Sequence, residues 1–168
     1  VVRLPLDDLI RDMRAALALA PIIACEAAAI HAQTVKEAPG AMDQRVLARI
    51  RGGFDVPARS YIAAIQQREV LRPQFAARLA AVDCLALPTV PIVAPKIAPL
   101  EADTDLFAAT NMMALRNTSV FNFFNTPAIS LPLPVDGLPV GLMLAALPMQ
   151  DRRLLAMAAG VEAALKAG

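Results

Sequence analysis

Tryptophan is absent from this chain, tyrosine and histidine occur once each, and only two cysteines and seven glycines are present. Each scarcity excludes something. Six Phe and one Tyr are the whole aromatic complement, which leaves no platform for stacking nucleobases. The formal charge of +1, from 16 basic and 15 acidic side chains, gives no net field to draw in nucleic acid or an anionic membrane. Arginines cluster locally, at Arg45, Arg49 and Arg51 and at Arg68 and Arg72. They read as solvated helix faces, and no nucleic-acid partner is expected. Cys25 and Cys84 stand apart, neither with a partner at metal-ligand spacing. They read as small apolar side chains in a reducing, cytoplasmic setting. The longest apolar run, Ala15 to Cys25, is 11 residues and contains Pro21. A membrane span needs about 20, so a buried helix is expected there, and no membrane partner. The opening Val1-Val2 shows no basic leader or cleavage pattern, and no secretory signal is expected.

Catalytic side chains are equally scarce. The one histidine, His31, lies on an alanine-rich helical stretch and reads as a structural residue. The serines are Ser60, Ser119 and Ser130, and the lysines are Lys36, Lys96 and Lys166. None falls in a GxSxG elbow or an SxxK spacing. Cys25 precedes His31 by six residues, which puts the two on different faces of a helix and argues against a dyad. Gly52-Gly53 lacks the remainder of a phosphate loop. No metal or cofactor is expected, and the residues alone do not compose a complete hydrolytic site.

What is present is apolar and helix-prone. Hydrophobic residues make up 57% of the chain, much of that alanine, and 14 prolines mark stiff crossings. The length suits one domain over residues 1–168, mainly helical over 1–82 and built from strands, a hairpin and a closing helix over 83–168. Val1 to Leu6 reads as the tail of a strand. Helices are expected from Asp7 towards Leu19, from Pro21 (in the first turn) to about Lys36, from Asp43 to Gly52-Gly53, and from Pro57 to about Ala81. Pro73 falls inside the last of these. Cys84 to Leu87 reads as a strand covered on both faces, and Pro88, Pro91, Pro95 and Pro99 as an extended, non-helical crossing. Asp103 or Thr104 is expected to cap a helix reaching about Arg116. Ile129 to Val135 alternates as an edge strand, Asp136-Gly137 as a hairpin turn, and Val140 to Leu147 as a central strand. Asp151 is expected to cap a final helix with the stripe Leu154, Ala158, Val161 and Leu165.

Several segments, taken in order, resemble the amidase signature family. They are Val-x-Leu-Pro at the start, Cys25-Glu26-Ala27 with His31, and Arg49-Ile50-Arg51-Gly52-Gly53 followed by Ser60-Tyr61-Ile62-Ala63-Ala64 and Arg68. Further on come Asp83-Cys84-Leu85-Ala86-Leu87-Pro88-Thr89-Val90-Pro91, Phe121-Asn122, Pro127-Ala128-Ile129-Ser130, Gly137-Leu138-Pro139-Val140-Gly141, and the last helix. The resemblance covers almost the whole chain and implies an α/β fold, part of a three-layer α/β/α architecture with a mixed sheet. It also implies a Ser–cis-Ser–Lys triad that cuts carbon–nitrogen bonds. The residues of that triad lie upstream of the region matched, and no position of this chain corresponds to them.

By the same resemblance this portion contributes part of the acyl-side pocket, with Arg116, Thr118 and Asn122 as substrate-binding candidates. For Asn122 a loop-stabilising hydrogen bond to backbone is the weightier reading. Arg49 corresponds loosely to a carboxylate-binding arginine of the A subunits of tRNA-dependent amidotransferases. The acid those proteins carry near Leu115-Arg116 is absent here, and Met143 stands in place of a common Gln. The expectation is therefore the carboxy-terminal part of a stand-alone amidase acting on a small-molecule amide. The alternatives are a non-catalytic, self-associating fragment and the A subunit of a tRNA-dependent amidotransferase. A homo-oligomer is expected, because the sheet surface its missing half would cover is apolar.

Overall fold

The computed structural model describes residues 1–167. Its backbone contacts fall into two compact units, Val1–Pro73 and the segment from Gln74 onward.

The first unit is helical. Val1 to Leu6 forms no regular structure, contrary to the strand expected there. Helices α1 (Asp7–Leu19) and α2 (Ile22–Glu37) follow, separated by Ala20 in an extended conformation and by Pro21. Pro21 is the N-cap of α2, one position before the first turn in which it was expected. By length and composition, Asp7–Glu37 taken together is apolar enough to cross a membrane. The break at Ala20-Pro21 leaves helices of 13 and 16 residues, each short of the roughly 20 a span needs. The buried helix expected around Pro21 is only partly so. Ile22 and Ala28 are buried, whereas Ile23 and Ile30 are 67% and 76% exposed. One narrow face of α2 meets α3 (Gln44–Phe54), where Gly53 lies against the Ala24–Cys25 peptide and a side chain would collide with backbone. Asp43 starts α3 by accepting from the Arg45 and Val46 N–H groups. Helix α4 (Ala58–Leu79) continues through Pro73.

The second unit holds a three-stranded sheet in the order β1-β3-β2, with β1 Leu85–Pro88, β2 Ala128–Pro132 and β3 Gly141–Ala145. Helices and sheet together give the α/β fold expected, and both pairings are antiparallel. The cause between β2 and β3 is the short Asp136-Gly137 connection, with Gly137 at φ 93°, since a parallel pair would need a long crossover. Helix α8 (Asp151–Ala167) packs one face of the sheet through Leu154 and Ala158 against Leu131, Leu144 and Ala146. Asp151 is its first residue, and the Gln150 carbonyl takes the Leu154 N–H at 2.9 Å, so Asp151 is not the cap. Strand β1 lies at the sheet edge, and Ala86 and Pro88 are exposed where coverage of both faces was expected.

Two helices in this unit were not anticipated. Within the proline-rich crossing, α5 (Ile97–Ala102) forms with Pro99 in its first turn, where a missing N–H costs no hydrogen bond. Asp103 then caps α6 (Thr104–Leu115) by accepting from the Asp105 and Leu106 N–H groups, both at 2.9 Å. Between Arg116 and Pro127, where the sequence reading places no element, lies α7 (Thr118–Phe124), which buries Val120, Phe121, Phe123 and Phe124. Phe124 stacks on Phe75 at 4.0 Å and meets Phe123 edge-on at 5.1 Å.

Candidate functional site

The second face of the sheet carries the site. Residues paired in register share a face, so Leu85 and Leu87 of β1, Gly141, Met143 and Ala145 of β3, and Ala128, Ser130 and Pro132 of β2 lie together. Helix α7 is fastened beside this face at both ends. At its start the Asn117 side chain donates to the Pro88 carbonyl at 2.7 Å, which ties α7 to the end of β1. At its end Asn125 adopts a left-handed conformation (φ 55°, ψ 49°). The Thr126 N–H then reaches the Phe121 carbonyl at 3.1 Å and the Asn125 N–H the Asn122 carbonyl at 3.3 Å, a Schellman closure.

Between α7 and the sheet lies a cavity of about 270 Å³. Thr118, Asn122 and Thr126 line it from the helix side, and Thr89, Ser130 and Met143 from the sheet. Of the three sequence candidates, Thr118 and Asn122 are therefore in the wall. Arg116, the exposed residue following α6, is not among the lining residues. The Thr118 hydroxyl donates to the Leu115 carbonyl at 3.3 Å, and Asn122 presents an exposed side chain at the rim.

Three residues whose sequence context pointed only to the fold turn out to shape the site. The Thr89 N–H donates to the Gly141 carbonyl at 2.8 Å, extending the β1–β3 ladder by one residue. Ser130 stands on β2, on the other side of β3, and its Oγ lies 2.5 Å from Thr89 Oγ1. The two hydroxyls meet over the central strand because Gly141 has no side chain; a Cβ there would overlap both oxygens. The available signal was a glycine opening an otherwise wholly apolar central strand.

No lining side chain is ionisable, so the cavity holds no base that could activate a hydroxyl. It can position a ligand by neutral hydrogen bonds and apolar contact. Among the described residues no group of His, Cys, Asp or Glu is arranged to hold a metal ion. Away from the cavity, Arg153 and Asp83 pair at 2.6 Å on the surface. Burial, followed by the neighbouring Asp83, pushes the Cys84 thiol up, and Arg153 opposes them.

A family model described as Amidase matches residues 13–155. Among curated proteins, a 2-amino-5-chloromuconic acid deaminase of Comamonas testosteroni is 38% identical over 89 residues, covering 52% of this chain and 19% of the relative. The A subunit of the Glutamyl-tRNA(Gln) amidotransferase of Synechococcus sp. (strain RCC307) is 33% identical over 142 residues, covering 80% of this chain and 28% of the relative. Among solved structures, an amidase superposes with a TM-score of 0.73 at 27% identity, covering 98% of this chain and 37% of that one. The chain thus spans between a fifth and two fifths of the length of these proteins.

Proposed function

From the premise that this chain belongs to the amidase family, we propose that it is the carboxy-terminal part of an amide hydrolase. The face shared by Ser130, Met143 and α7 supplies part of the acyl-side substrate pocket, with Thr118 and Asn122 in its wall and Arg116 beyond it. The nucleophile, the base and the oxyanion donors belong to a part of the enzyme upstream of this segment. The observation that carries this reading is the cavity itself. It carries hydroxyls from Thr89, Thr118, Thr126 and Ser130, two of them in mutual contact, and the Asn122 carboxamide, beside the sheet that the Amidase family model spans. In isolation the chain self-associates through apolar surface that the rest of the enzyme covers.

The test compares the 168-residue chain with a longer reading frame that includes the upstream region, on simple aliphatic and aryl amides. Hydrolysis is expected from the longer protein only, and Asn122→Ala in it should raise KM. Turnover by the 168 residues alone would place the nucleophile here and refute the assignment. The identity to an amidotransferase protein favours a second reading. Partner-dependent glutaminase activity would establish it in place of the first.

A further inference from the structure

The wall of the cavity beside α7 carries hydroxyls from Thr89, Thr118, Thr126 and Ser130, one carboxamide from Asn122, and otherwise apolar groups such as Met143. None of these side chains carries a charge. A carboxylate or ammonium entering it would give up part of its hydration and meet no counter-charge among the lining residues. A neutral group that both donates and accepts needs no counter-charge.

The Thr89–Ser130 pair sharpens the choice of ligand. At 2.5 Å one hydroxyl donates to the other. The acceptor hydroxyl keeps its own proton free, and both oxygens keep lone pairs. The pair therefore offers one donor and several acceptor sites within a few ångströms, complementary to the C=O and N–H of a carboxamide. Gly141 makes this arrangement possible and Met143, 3% exposed, gives it an apolar floor. A volume of about 270 Å³ lies below the usual 300–1,000 Å³ of drug-sized sites, so the ligand portion is short.

We propose that this cavity is a subsite for a small, uncharged amide, held by the Thr89–Ser130 hydroxyl pair, and that it rejects amides bearing a carboxylate or an ammonium at the same position. The proposal rests on the amide-hydrolase reading only in taking the ligand to be an amide.

The experiment titrates the isotope-labelled 168-residue chain with three probes of similar size: isobutyramide, succinamic acid (carboxylate-bearing) and β-alaninamide (ammonium-bearing). The readout is the NMR shift of the Thr89 and Met143 methyl groups. Isobutyramide should give saturable shifts in the millimolar range set by its few heavy atoms. The two charged probes should bind at least tenfold more weakly. Thr89→Val should weaken isobutyramide about fivefold, as expected for loss of one neutral hydrogen bond, and Thr89→Ser should restore it. Ser130→Ala gives the same reading from the opposite strand, should either Thr89 variant fail to fold. Equal or tighter binding of a charged probe overturns the proposal, as does an absence of shift with isobutyramide. So does succinamate binding abolished by Arg116→Gln, because Arg116 would then be the specificity group. The longer reading frame separates the two claims. Hydrolysis of no amide at all would refute the hydrolase assignment and leave the titration standing. Faster hydrolysis of charged amides than of isobutyramide would refute the neutral subsite alone.

Discussion

At Gly141 a single added carbon would meet two hydroxyl oxygens at once, one of them, Thr89 Oγ1, at 2.7 Å. Rotating the two hydroxyls aside would relieve only part of the crowding, because Thr89 Cβ stands at 3.3 Å and does not move with that rotation. Gly141→Ala should therefore break the Thr89–Ser130 contact and cost about 1–3 kcal/mol, the range for overpacking. Urea denaturation of the variant checks this; an unchanged midpoint would mean that the strands shift freely. Cys84 gives a second prediction of the same kind. Burial and Asp83 raise its thiol and Arg153 opposes them. Asp83→Asn removes one of the raising influences and releases Arg153 from its ion pair, so the thiol pKa should fall. Alkylation of Cys84 by iodoacetamide, resolved from Cys25 by peptide mapping, should then have a lower pH midpoint than in the parent. A midpoint that stays or rises would contradict the arrangement. This scale also held what the sequence concealed. Thr89 and Ser130 are 41 residues apart, and no spacing rule links two hydroxyls that meet only across a third strand.

Helices and strands were legible wherever local chemistry decides them. Asp43 and Asp103 announce α3 and α6 because a carboxylate before a helix satisfies orphan N–H groups, and both do so here. The stripe on α8 announces its packing, with Leu154 and Ala158 buried as the period requires. Helix α7 escaped notice because its seven residues, Thr-Ser-Val-Phe-Asn-Phe-Phe, are poor helix formers. What holds it is tertiary: Phe124 on Phe75, and the tie from Asn117 to Pro88. The direction of the β2–β3 pair was legible in the Asp136-Gly137 turn, whereas the pairing of β1 with β3 was not, since alternation names the face of a strand and says nothing of its neighbour. Two substitutions test these elements. Asp103→Ala should cost about 1 kcal/mol by leaving the Asp105 and Leu106 N–H groups without their acceptor, read as a lower midpoint in chemical denaturation. Leu154→Ala should cost about 2–5 kcal/mol, because it opens a cavity between α8 and the sheet. If the cap variant proved the more damaging, α8 would not be the principal cover of that face.

At the scale of the molecule, the notable surface is α6. None of its residues is buried, yet its sequence is apolar around much of the circumference, and Leu106, Met112, Met113 and Leu115 are exposed, Met112 at 65%. A helix hydrophobic on all sides is ordinarily enclosed by protein. The solved amidase that superposes on nearly all of this chain has well over half its own length outside the match, enough polypeptide to enclose such a helix. Without that cover, copies of this chain have their own apolar surface as the available substitute. Sedimentation velocity should therefore find the isolated chain in species larger than a monomer, increasingly so with concentration. The double variant Met112→Glu/Leu115→Glu should shift it towards monomer, because each carboxylate would have to lose water to stay in contact. The far-ultraviolet spectrum should be unchanged, since Glu forms helix about as readily as Met or Leu at an exposed position. If the variant still self-associated, the sticking surface would lie elsewhere, with the exposed Ile23 and Ile30 of α2 next in line. If the parent chain were monomeric at every concentration, apolar exposure on α6 would be tolerated in water, and the case for a covering partner would lose its main support.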